Sequence, residues 1–195
     1  MNYLTLPAYA DTKGTINVVV EISKHTYDKY EIDEHTGDKL VCVRTLHKGF
    51  PKDCKYAYNY GFIPSTYAED HDQLDAIVLC DEKIEPLTVV KCKVMGVVPT
   101  IDTGEIDDKI ICVPEDSELI KNKKLFKKYL DEAVKYLKYY KYPDQKATLV
   151  KEFLGPIEAY SIIDKHLVEQ HKTTSAATII PKGDPFGTAI DRINF

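Results

Sequence analysis

No apolar run in this 195-residue chain approaches the roughly 18 residues that a membrane-spanning helix needs, so a bilayer-embedded protein is not expected. The opening stretch MNYLTLPAYADTKG has no basic segment leading into an apolar one, and no signal peptide is expected. Cysteine is sparse and odd in number: Cys42, Cys54, Cys80, Cys92 and Cys112 contain no C-x-x-C pair, which argues against a zinc site. Most of these thiols fall in strand-like apolar runs, where reduced cysteine behaves as a small hydrophobe, so a reducing, cytoplasmic setting is expected. An excess of basic residues is also missing. With 26 Lys and Arg against 31 Asp and Glu, the net charge is −5 and nothing favours nucleic acid or an anionic membrane as partner. There is no internal repeat and no low-complexity segment.

What is present reads as β first and α later. Ile16–Ile22, Tyr27–Asp33, Lys39–Leu46, Asp75–Cys80, Val89–Val98 and Lys109–Pro114 are short, rich in β-branched residues and bounded by turn formers, which predicts strands. Thr36-Gly37 predicts a hairpin between the second and third. Phe126, Leu130, Ala133, Leu137 and Tyr140 recur at spacings of 4, 3, 4 and 3, the mark of an amphipathic helix that Pro143 ends. Ala147–Leu154 is strand-like. Gly155-Pro156 then opens a second helix with Ala159, Ile162, Ile163 and Leu167 on one side. Short strands followed by two helices predict a mainly β protein of α+β class: a small barrel with flanking helices. Residues 173–195 have no clear period and read as a C-terminal tail beyond a domain of residues 1–172.

The acidic clusters are the first chemical signal. Asp70, Asp72 and Asp75 stand in a D-x-D-x-x-D spacing directly before the apolar run Ala76 to Leu79. Like charges packed at the mouth of a strand are either screened by water on a loop or meant to hold a cation; magnesium takes one or two carboxylates and keeps waters. An EF-hand is excluded, since the sixth position is Asp75, not glycine, and the twelfth is Asp81, not glutamate. A second group, Asp102, Glu105, Asp107 and Asp108, precedes the strand that starts at Lys109. DTGE within it is good turn chemistry, so a charged hairpin explains it as readily as a ligand set. Two acidic loops feeding neighbouring strands would bring carboxylates together at one rim, an arrangement suited to two or more metals.

Cations and phenols accompany the acids. Alternation in DKYEID sends Lys29 and Glu31 one way and Tyr30 and Ile32 the other, and Glu21 is a carboxylate in an otherwise apolar strand. In KLVCVRTL strict alternation puts Arg44 on a face with Leu40, Cys42 and Leu46. CKYAYNYGFIP is dense in tyrosine, and its Gly61 suits a constrained turn. Lysines, an arginine and phenols beside many carboxylates suit a polyanion bound through metal ions.

The ordered set VVVEIS, DKYEID, VRTL, YNYGFIP, EDHDQLDAIVL, DTGEIDDKIICVP and YYK, from about Ile16 to Glu152, resembles the family I soluble inorganic pyrophosphatases. The resemblance implies an OB-like five-stranded barrel and a Mg²⁺-dependent hydrolase that splits diphosphate into two phosphates with no covalent intermediate. It implies several Mg²⁺ ions per site, with Mn²⁺, Zn²⁺ or Co²⁺ as substitutes. Asp70, Asp75 and Asp107 match ligands of the activating ions; Asp102, and Glu31 through water, match ligands of ions arriving with substrate. Asp72 matches the general base. Lys29, Arg44, Tyr60, Lys109, Tyr140 and Lys141 match the phosphate-binding set, and Glu21 and Tyr56 match polar residues lining the same site. Glu21 and Tyr60 are expected to join Asp72 in catalysis, and Tyr56 to join in substrate binding. A homo-oligomer is implied, a hexamer from the short chain, with a dimer as alternative.

This sequence departs from the family's pattern at Thr103, where an acidic residue is usual, and at Ala57, where proline is usual. The stretch HKGFPKDCK is longer than in short bacterial members, and the apolar tail beyond Lys172 is expected to pack on a neighbouring subunit. Two other functions fit parts of the pattern. One is an OB-type oligonucleotide binder, which the acidic rim opposes. The other is a divergent hydrolase acting on a different phosphoanhydride.

Overall fold

The computed structural model describes residues 1–12, 14–45, 55–139 and 148–168. In chain order the strands are β1 (Thr15–Ile22), β2 (Asp28–Ile32), β3 (Leu40–Thr45), β4 (Asn59–Phe62), β5 (Asp75–Val78), β6 (Val89–Val98), β7 (Thr100–Asp102), β8 (Glu105–Ile106), β9 (Lys109–Pro114) and β10 (Thr148–Val150). The α-helices are α1 (Lys123–Tyr139) and α2 (Pro156–His166). Five strands close into a barrel in the order β1-β4-β5-β9-β6. All neighbours in it are antiparallel except β5 and β9, which run parallel. The expected five-stranded barrel with two flanking helices is what forms.

Its strands are apolar on both faces because both faces are covered. Ala76 and Val78 of β5, with Ile110 and Cys112 of β9, join a cluster with Ala159, Tyr160 and Ile163 of α2. The alternate residues Ile77, Ile111 and Val113 join Phe126, Leu130, Ala133, Val134 and Leu137 of α1. Each fully buried Val, Leu or Ile contributes roughly 1.5–3 kcal/mol, so this two-sided burial is the main stabilising term. Asn122 starts α1 by accepting the Leu125 N–H at 3.0 Å, and Pro156 occupies the first turn of α2.

Two local corrections to the sequence reading follow from the pairing, and the hairpin reading of DTGE is met. Gly61 lies within β4, a strand not foreseen, opposite Val20 and Ala76 rather than in a turn. A Cβ there would stand 1.9 Å from the Val19 carbonyl oxygen, so only glycine admits the close approach of β1. A bulge at Val43 breaks the alternation of β3: Cys42 opposes Tyr30, but Arg44 opposes Lys29. Arg44 therefore shares a face with Lys29, not with Cys42. Finally, the Asp102–Glu105 turn is itself flanked by short strands, β7 and β8, and β10 pairs with β7. Thr103 and Gly104 have φ of 50° and 98°, as a two-residue type I′ hairpin turn requires.

Candidate functional site

Parallel pairing puts the first residues of β5 and β9 side by side, with Asp75 opposite Lys109. The acidic loop that enters β5 and the β7–β8 hairpin that precedes β9 consequently meet at one rim. There a cavity of about 170 Å³ is lined by Glu21, Lys29, Glu31, Tyr56, Tyr58, Tyr60, Asp70, Asp72, Asp75, Asp102, Thr103, Glu105, Asp107, Lys109 and Leu137. Its wall thus carries eight carboxyl side chains against two lysines.

Each group is set by its own backbone. Glu21 is the extra residue of a bulge in β1, since Val20 opposes Gly61 and Ile22 opposes Tyr60. The bulge turns a carboxylate out of an apolar strand, and its Oε1 accepts the Ile32 N–H at 2.6 Å, fixing β2 against the barrel. Thr66 closes the acidic loop, donating to the Ile63 carbonyl at 2.6 Å and accepting the Leu74 N–H at 2.9 Å. Within the loop His71 takes φ of 69°, and Asp72 accepts the Gln73 N–H at 2.8 Å. Lys109 is 2% exposed; its ammonium donates to both Asp75 and Asp107 and lies 5.7 Å from the Tyr60 ring centre. Lys29 pairs with Glu31 on β2. Tyr136 of α1 contacts Tyr56 and Tyr58 at ring separations of 5.7 and 5.3 Å, joining the helix to the tyrosine strip.

The electrostatics express an excess of negative charge. Asp72 is exposed at the rim, yet the protein packed around its carboxyl desolvates it enough to raise it to about 6, with Asp75, Glu31 and Asp70 adding to the effect against the Gln73 N–H. Glu21 and Asp107 are also raised, chiefly by burial and then by their acidic neighbours; the Lys109 ammonium opposes this at Asp107. For Lys29 burial alone would lower the ammonium, but Glu31 outweighs it and the net shift is upward. Among the described residues no three acidic, imidazole or thiol groups already converge on one metal position. Lys109 stands between Asp75 and Asp107 as an internal counter-ion. The donor set nevertheless fits hard cations: it is all oxygen, it faces one cavity, and the upward shifts of Asp72, Asp107 and Glu21 mark crowded negative charge that a cation would neutralise.

Of the residues singled out from sequence, Glu21, Lys29, Glu31, Tyr56, Tyr60, Asp70, Asp72, Asp75, Asp102, Asp107 and Lys109 meet at this cavity. Arg44 is half-buried beside Lys29 but is not part of the lining. Tyr140, Lys141, Cys54 and the tail lie outside the described residues. Asp108 turns away, accepting the Thr100 N–H at 3.2 Å. Tyr58 and Glu105 line the cavity without having been named as site residues. The i, i+2, i+4 spacing of Tyr56, Tyr58 and Tyr60 was the signal for the first, and pairing of Glu105 with Asp102 across a two-residue turn for the second.

A family model described as inorganic pyrophosphatase matches residues 18–171. Soluble inorganic pyrophosphatase 3 of Arabidopsis thaliana is 40% identical over 152 residues, 75% of this chain and 68% of its own length. Among solved structures, the inorganic pyrophosphatase of Neisseria gonorrhoeae superposes with a TM-score of 0.74 at 28% identity, covering 84% of this chain and 96% of that one. That of Thermus thermophilus gives 0.75 at 25% identity, covering 88% and 99%. Barrel, acidic rim and sequence agree: the chain belongs to the inorganic pyrophosphatase family.

Proposed function

We propose that this protein hydrolyses inorganic pyrophosphate to two phosphates at the acidic rim, using divalent metal ions, with Mg²⁺ as the physiological one. The observation that carries the site assignment is the meeting of Asp70, Asp72, Asp75 and Asp107 with Lys29 and Lys109 around one small cavity. At about 170 Å³ it is smaller than the roughly 300–1,000 Å³ of drug-sized ligands, which favours a compact inorganic anion over a nucleotide.

Asp70, Asp75 and Asp107 would hold the activating ions, and Asp102 and Glu31 those that enter with substrate. Bound there, such ions supply Lewis acidity, polarising water and neutralising phosphate oxygens. Asp72 accepts the proton of the attacking water. Its raised affinity, about 6, places it close to the working range of a general base. Lys29, Arg44, Tyr56, Tyr60 and Lys109, with Tyr140 and Lys141, bind phosphoryl oxygens and stabilise charge on the leaving phosphate. Lys109 must exchange a carboxylate partner for phosphate as cations enter. Glu21, buried and tied to Ile32, positions β2 and with it Lys29. Thr103 places a neutral side chain beside Asp102, so an ion that Asp102 would hold would meet fewer negative charges there.

The test is Asp72→Asn. Metal binding measured by calorimetry should persist while kcat falls by about 10²–10⁴, the usual worth of a positioned base. Near-normal kcat would remove Asp72 from the role. A homo-oligomer, with the hexamer first and the dimer as alternative, is carried over from the resemblance to short bacterial members of the family. Sedimentation of the full chain decides it. A cytoplasmic location is supported by the free, buried Cys80, Cys92 and Cys112.

A further inference from the structure

The acidic loop is attached to the barrel at both its ends, and also to the C-terminal end of α2. Tyr67 N–H donates to the His166 carbonyl at 2.8 Å, Thr66 bridges to Leu167, and Val168 N–H donates to the Ser65 carbonyl at 3.0 Å. Side chains extend this backbone seam towards the metal-binding residues. Glu69, the immediate neighbour of Asp70, receives Lys165 Nζ at 2.5 Å on one carboxylate oxygen and faces His166 Nε2 at 2.8 Å on the other. The His166 ring is held from its other side by the Ile162 carbonyl, 2.8 Å from Nδ1, and its side chain is only 9% exposed. Glu69 is absent from the cavity wall. Asp70 and Glu69 thus point to different neighbours from adjacent positions on the same loop.

We infer that the α2 end is a clamp for the metal-binding loop, with Glu69, Lys165 and His166 as positioning residues that set where Asp70 and Asp72 stand. The inference rests on the proposed metal-binding role of the rim. An exposed ion pair is worth little to overall stability, about 0–1 kcal/mol or up to about fivefold in an equilibrium constant. Here that constant is the placement of a ligand loop. Loss of the clamp leaves the barrel closed but lets the loop sample arrangements in which Asp70 and Asp75 no longer line the same cavity.

The experiment titrates Mn²⁺ into the metal-free full chain by calorimetry, beside thermal unfolding and the Mg²⁺ dependence of turnover. Glu69→Ala and His166→Ala should each weaken Mn²⁺ binding by about fivefold and together by little more, since they break one unit. The Mg²⁺ concentration for half-maximal turnover should rise in parallel. His166→Gln, which can still donate to Glu69, should recover part of the loss. Lys127→Met, which breaks the comparable surface pair with Asp131 on α1, should change none of these readings. If Glu69→Ala does not fold, Lys165→Met, at a 65% exposed position, decides with a smaller shift in the same direction. Lowered melting temperature with unchanged Mn²⁺ affinity would overturn the clamp alone. Failure of the unmodified chain to bind Mn²⁺ would overturn the clamp and the site assignment together.

Discussion

The barrel has two acidic ends, and they differ in everything except composition. Because β5 and β9 are parallel, their first residues share one rim and the segments after them share the other. At the first rim Asp75 and Asp107 are 23% and 15% exposed, wrapped round the buried Lys109. At the second, Asp81, Glu82, Glu115, Asp116 and Glu118 are all exposed. A buried lysine stands there too, but Lys24 donates to backbone, the Cys80 and Asp81 carbonyls at 3.0 Å each, and not to carboxylates. Acidity by itself therefore distinguishes nothing. What marks the first rim is that Glu21, Asp75 and Asp107 are drawn out of water around one cavity, even though Asp72 and Glu105 beside them are exposed.

Replacing the buried lysine at each end by methionine has the largest expected effect. Lys109→Met leaves Asp75 and Asp107 buried beside each other without their counter-ion, which should cost roughly 3–5 kcal/mol in the metal-free protein. The melting temperature should fall by about 10 °C and recover in part when Mg²⁺ is added. Lys24→Met removes two bonds to carbonyls and should cost about 1–3 kcal/mol. Thermal unfolding should register this loss equally with and without Mg²⁺, and turnover per folded molecule should not change.

The pH dependence sharpens the contrast further. Asp72 is raised to about 6, and Glu21 and Asp107 are raised as well, so the folded metal-free chain holds protons that the unfolded chain has released. Stability from these groups is therefore present at low pH and lost as pH rises, for Asp72 between about 4 and about 6, with Glu21 and Asp107 acting in the same direction. Differential scanning calorimetry should show that decline in EDTA, weakened by Asp72→Asn and flattened by Mg²⁺. The smallest effect belongs to the far end. Asp116→Asn with Glu118→Gln should alter turnover by less than about twofold, the range of ordinary exposed substitutions.

The sequence carried the barrel strands that are long and β-branched, and both helices, because burial on two faces leaves apolar runs such as VVV at 18–20 and IICV at 110–113. It hid β4, whose four residues NYGF contain a glycine chosen for the approach of Val19 rather than for a turn. It also hid the bulges. Nothing local in VCVRT announces that Val43 is extra, yet that residue decides which face Arg44 occupies. The carboxylates were legible from spacing. The distinction between the two acidic ends was not, because it depends on Asp75 lying beside Lys109 across 34 positions of chain. Glu69 escaped for the same reason: its partners, Lys165 and His166, stand on a helix nearly a hundred residues away.

Phosphate release from pyrophosphate by the full chain, with Mg²⁺ titrated from zero and EDTA as control, decides whether the acidic rim is a pyrophosphatase site. Release should be negligible in EDTA and rise to saturation with Mg²⁺. Folded protein that releases no phosphate with Mg²⁺ or any other divalent ion would rule the proposed activity out.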